Sequence, residues 1–199
     1  MRYAWAIVLV LLAICGLREA WDRWPLDDSA VRAITSLTPR EAHRLMNRNH
    51  GRALPLDSLV TLSREAAAAL AKHDGDLWLV GLPTLCDEAA EALAHHKGGL
   101  GLNGVSALSA AAAKALARHE GRLYLYGLTT LSDEAATALS QHDGDLWLVG
   151  LSTLSDAAAQ ALAEHKDALV LDGLTTLSDE AAKALRSHPD VRLPDTFER

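Results

Sequence analysis

Leu131-Ser-Asp-Glu-Ala-Ala-Thr-Ala-Leu-Ser-Gln-His-Asp-Gly-Asp-Leu-Trp-Leu-Val-Gly-Leu-Ser-Thr153 decides the fold, because its two halves carry different hydrophobic periods. From Ser132 to His142 the residues are helix formers, with Ser132 placed as N-cap and Asp133 and Glu134 facing the positive end of the helix dipole. From Leu146 to Leu151 apolar and variable residues alternate, so Leu146 and Leu148 point to one face and Trp147 and Val149 to the other, the pattern of a short half-buried strand. Gly144 stands where the helix must end, free to take positive φ, and Gly150 is expected to bend the chain out of the strand.

The same sentence recurs along the chain. Leu62, Leu85, Leu108, Leu131, Leu154 and Leu177 open successive copies at a constant spacing of 23 residues. A degenerate copy begins at Leu37, 25 residues before Leu62, and a partial one follows Leu177. One strand and one short helix cannot bury their leucines alone. Stacking the copies places Leu139, Leu146, Leu148, Leu151, Leu154 and their equivalents in continuous columns, with neighbouring strands paired in parallel. The alanines at Ala135, Ala136 and Ala138, repeated at Ala89, Ala90 and Ala92, keep the helices thin enough to pack closely.

The spaced residues Leu77, Leu79, Leu82, Leu85, Ala89, Ala90 and Leu93 resemble the leucine-rich repeat, in its bacterial 23-residue form. The resemblance covers residues 37–193 and implies an α/β fold: a right-handed solenoid with a parallel sheet on one face and short helices on the other. It departs at one slot, where the common motif has asparagine and this chain has Leu82, Val105, Leu128, Leu151 and Leu174, so no asparagine ladder is expected. An all-helical solenoid is the alternative architecture, disfavoured by the alternating segments.

Composition sets outer limits. The chain has 199 residues, 49% hydrophobic and 23% charged, which fits a globular protein and not a disordered one. Net charge is −7, and −8 without residues 1–17, whose one charge is Arg2, so binding of nucleic acid through phosphate neutralisation is disfavoured. Arg2 precedes the apolar run Tyr3–Leu17, and Arg18, Glu19, Asp22 and Arg23 follow it, the plan of a signal peptide or, with Trp21 and Trp24 flanking, a short membrane anchor. Lipidation of Cys15 is a weaker option, because Ile14 is bulky for a lipoprotein box. The organisation is therefore an export or anchor segment (1–17), a linker and N-terminal cap (18–36), the solenoid (37–193) and a C-terminal tail (194–199). Within the solenoid the degenerate first unit spans 37–61, regular units start at 62, and the partial unit starts at 177. The protein is expected to be exported: secreted, periplasmic or anchored, touching membrane only through residues 1–17.

His50, His73, His96, His119, His142, His165 and His188 form one column at intervals of 23. Aligned imidazoles suit a metal or a pH response, but no acid or cysteine column accompanies them at ligand spacing. A structural role is the expectation, each ring bonding free carbonyls in the last helical turn, with no metal. Cys86 fills the helix-start slot that serine holds elsewhere; it lacks a base and an oxyanion site, so an enzyme is not expected. No phosphate-binding glycine string occurs, and no cofactor is expected.

Function is expected where the repeat varies. The outward strand positions read Pro55, Trp78, Gly101, Tyr124, Trp147, Val170 and Asp57, Val80, Asn103, Tyr126, Val149, Asp172. Trp78, Tyr124, Tyr126 and Trp147 gather on one side with Asn103, and Asp76, Arg122 and Asp145 begin the strands beside them. Such residues anchor interfaces, so the expectation is a noncatalytic binding module for a protein partner, with an envelope glycan second. The alternative is an architectural spacer or self-associating envelope component, against which the degenerate ends with Pro39 and Pro189 argue.

Overall fold

The computed structural model describes residues 31–197. Seven helices alternate with seven strands: α1 (Pro39–Arg48), β1 (Leu54–Pro55), α2 (Arg64–Leu70), β2 (Leu77–Trp78), α3 (Asp87–Leu93), β3 (Leu100–Gly101), α4 (Ala110–Leu116), β4 (Leu123–Tyr124), α5 (Asp133–Leu139), β5 (Leu146–Trp147), α6 (Asp156–Leu162), β6 (Leu169–Val170), α7 (Asp179–Arg186) and β7 (Val191–Arg192). The strands form one sheet in sequence order, every pair parallel, and each helix packs on the helices before and after it. This is an α/β repeat solenoid. The all-helical alternative does not hold.

Register follows the repeat. Leu54, Leu77, Leu100, Leu123, Leu146 and Leu169 pair side by side at shifts of 23, whereas Leu169 pairs with Val191, a shift of 22. The turn His188-Pro189-Asp190 is one residue shorter than His165-Lys166-Asp167-Ala168, so the last strand arrives early. Strand pairing is also shorter than the alternating pattern. Leu148 N–H still donates to Val170 O at 2.8 Å, but Leu151 N–H turns back to Leu148 O at 3.3 Å. Gly144 takes the expected positive φ, 135°. Gly150 does not need one: a Cβ there would lie 2.2 Å from Tyr126 O, so glycine is required by the approach of the preceding unit's backbone.

One continuous core runs between sheet and helices. Leu77, Leu79, Leu82, Leu93 and their equivalents are fully buried, as are Ala89 and Ala90 on the helix side. The residues in the asparagine slot, Leu82, Val105, Leu128, Leu151 and Leu174, belong to this core, so apolar packing occupies the place of the ladder. Both ends are covered. Val31, Ile34 and Leu37 close the first unit and Ser36 bridges Thr61, so the cap begins within the segment 18–36 and supplies core residues. At the other end Phe197 packs on the core, and its carbonyl accepts from Arg186 Nε at 2.8 Å. The segment 1–17 and Cys15 lie outside the described residues. Among the described residues no helix is long and apolar enough to cross a membrane.

Candidate functional site

Parallel pairing in register brings the outward side chains of β2 to β7 into one patch. Trp78 and Tyr124 meet at 5.0 Å between ring centroids although they stand two strands apart. The strand between them carries Gly101, and a Cβ there would lie 2.2 Å from Trp78 Cε3. Glycine thus opens the space into which the Trp78 ring folds. Tyr124 continues to Trp147 at 5.8 Å, and Tyr126 stands edge-on to Tyr124 at 5.9 Å and 6.1 Å from Trp147. All four aromatic rings form one connected cluster. Tyr126 is the most open of them, 38% exposed, and burial against its neighbours pushes its phenol upward in pKa. Trp147 Nε1 and Asn103 Oδ1 are buried beneath the patch without a hydrogen-bond partner among the described residues.

The cluster extends further than the four rings. The Arg192 guanidinium lies 5.6 Å from the Trp147 ring centre, a cation–π contact, and its Nε donates to Asp172 Oδ1 at 2.7 Å. Val170, on the strand between them, is buried under this bridge. Sequence reasoning missed Arg192, because it joins the outward column only once the one-residue shortening after His188 is allowed. Its spacing of 22 from Val170 was the available signal.

Polar contacts link units along the rim. Arg122 Nε donates to Asp145 Oδ2 at 3.0 Å, and the Tyr124 hydroxyl and Asp145 hold the guanidinium above its ordinary pKa. Asp76 Oδ1 accepts the Gly99 N–H at 2.8 Å, and Arg32 pairs with Asp57 at the first end. Asp57, Asp145 and Asp172 therefore each have an arginine partner, and the face presents rings between ion pairs.

The histidines lie at the same margin of the strands as Asp76, Arg122 and Asp145, where helix turns into strand. Each histidine from His73 to His165 lies three residues past the end of its helix, its backbone N–H closing the last turn as His142 N–H does on Leu139 O at 3.0 Å, while the ring reaches the unit before. His73 Nε2 reaches Arg52 O of the preceding unit at 2.7 Å and His165 Nε2 reaches Gly144 O at 3.1 Å. This corrects the expected last-turn contact. From His96 to His188 the rings stack at centroid distances of 5.9, 5.9, 6.2 and 6.0 Å. His50 departs from the column. Its side chain is 70% exposed and 3.7 Å from Asp74, because no regular unit precedes it to cover the ring. Among the described residues no group of three or more His, Cys, Asp or Glu is arranged to hold a metal ion.

Cys86 is an exposed free thiol at the N-cap of α3, where it makes no side-chain hydrogen bond. No known family model matches the chain, and no curated protein matches it.

Proposed function

We propose that this chain is a noncatalytic binding module of leucine-rich-repeat type, exported or tethered by residues 1–17, which takes a protein partner on its outward sheet face. The observation that carries the reading is the connected cluster of Trp78, Tyr124, Tyr126 and Trp147 on a face that no second layer of the described chain covers. Parallel sheets usually have both faces covered, so an aromatic cluster on an open face asks for an occupant. Rings already packed on each other and on a fixed backbone lose little side-chain freedom on binding, which favours affinity. Asp76, Arg122 and Asp145 border the rings and supply the polar rim of such an interface, with Asn103, its Oδ1 buried, inside the patch.

The test compares capture of envelope proteins by the unaltered chain and by a variant with alanine at Trp78, Tyr124, Tyr126 and Trp147. A specific protein retained only by the unaltered face, with a far-UV melt that still shows one cooperative transition in both, is the expected result. Equal retention by both chains would end the proposal, and retention of glycan alone would replace the partner class.

A further inference from the structure

The geometry points to an acid-triggered release built into the solenoid: within the column His73, His96, His119, His142, His165 and His188, the rings of His96, His119, His142 and His188 fasten adjacent units while neutral and separate them when charged. All six are buried, and the five from His96 onward are stacked face to face about one unit apart. Each sits at a seam. His73 and His165 bond a carbonyl of the unit before, and the rings of His96, His119 and His142 face the preceding unit's backbone at Ala71, Gly98 and Gly121. Both ring nitrogens of His96, His119 and His142 are buried without a full hydrogen bond among the described residues. A proton added to any of them would be a buried charge beside another imidazole.

The surrounding charges do not neutralise the column. Acids reach it at its C-terminal part, where Asp143 and Asp167 act on His142 and Asp190 on His188. Around His96 and His119 the interacting groups are other imidazoles and the backbone at Ala71, Gly98, Gly99 and Arg122. Lys97 and Lys166, exposed, directly follow His96 and His165 in the chain and add positive charge there. Burial, then the neighbouring imidazoles, pushes His96 down to about 4 and lowers His119, His142 and His188 as well. A histidine held below its unfolded value of 6.5 contributes stability that is complete above that pH. The contribution falls as the unfolded chain takes up protons, and is gone below the folded value, so the window runs from 6.5 down to about 4. Because neighbouring rings stand 5.9 to 6.2 Å apart, a charge on one disfavours a charge on the next while the seams are closed, and protons enter as the seams open.

Urea unfolding of the full chain at closely spaced pH values from 7.5 to 4.5 measures the protons taken up on unfolding, as the slope of stability against pH. Several protons per molecule are expected, and fewer by about two in the His119→Gln, His142→Gln variant. The slope of a control carrying His43→Gln and His95→Gln, both exposed, is expected to stay close to that of the unaltered chain. An equal slope in the column variant overturns the proposal. Should that variant not fold, imidazole nitrogen NMR of the unaltered chain decides. Rings of His96, His119 and His142 still neutral at pH 5.5 support the device. The same rings titrating near 6.5 with the fold intact refute it.

Discussion

A methyl group at residue 150 would stand 2.2 Å from the carbonyl oxygen of Tyr126, and at residue 127 it would stand 2.2 Å from that of Asn103. Glycine at these positions lets one unit's backbone lie against the next, and neither residue has positive φ. The carbonyls they press on belong to chain fixed on both sides, so the clash cannot be relieved by turning a side chain. Gly150→Ala is therefore expected to cost about 2–4 kcal/mol, in the range of overpacked cores. Gly51 is the contrast: nothing lies within 4 Å of a Cβ there, but φ is 67°, so Gly51→Ala meets only left-handed strain of about 1–2 kcal/mol. Urea unfolding of the two variants checks the order; an alanine tolerated better at 150 than at 51 would contradict the close-approach account.

The helices are too short to be stable alone, so their caps and cross-unit contacts matter. Ser63, Ser109, Ser132, Ser155 and Ser178 each accept the N–H three residues on. Ser109, Ser155 and Ser178 also donate to Asp87, Asp133 and Asp156 at the start of the preceding helix. Where that aspartate is missing, as at Ala110, Ser132 caps its own helix only. Cys86 follows a unit with Arg64 and makes neither contact. Cys86→Ser restores the cap acceptor and is expected to raise stability by about 0.5–1 kcal/mol, read as a higher urea midpoint with unchanged slope. The caps, the two periods and the core columns were legible in the sequence because they depend on residues close together or at one fixed spacing. The seam contacts were not. The ring of Trp78 over Gly101, Arg192 over Trp147 and the imidazole on the preceding unit's carbonyl arise from which side chains the stacked backbone brings together, and a single sequence does not display that. The inward and outward alternation did place the four aromatics on one face; what their packing adds is that Gly101 and Val170 are spacers within it.

Among the described residues each helix and strand packs on those of the units beside it, with the Trp78–Tyr124 and Trp147–Arg192 contacts reaching across one intervening strand, and this makes the solenoid divisible. Removing Ser155–Leu177 deletes α6, β6 and one full 23-residue period, joining Leu154 to Ser178 as Leu177 is joined to Ser178 now. β7 would then lie beside β5 in the register it now keeps with β6, and the leucine columns would remain continuous. The Asp172 partner of Arg192 is lost, but its guanidinium comes beside Trp147 directly, since the intervening Val170 strand is gone. The shortened chain is expected to fold cooperatively, with a smaller urea slope in proportion to the surface removed and a lower midpoint, because one nearest-neighbour interface is missing. Since Trp78, Tyr124, Tyr126 and Trp147 all remain, it should also hold whatever partner the full face holds. Removing 22 residues from the same place instead leaves α7 one residue late, with Leu185 falling 24 residues after Leu139 in place of 23, so α7 would meet the stack with its buried Ala181 and Leu185 rotated away, while Val191 and Leu193 would fall 23 residues after Leu146 and Leu148. Circular dichroism and urea unfolding of the two deletions separate the cases: a folded 23-residue deletion beside a 22-residue one that loses the helical signal of α7 and has a lower midpoint supports additive stacking of units. Equal loss of structure in both would mean that the array folds as an indivisible whole.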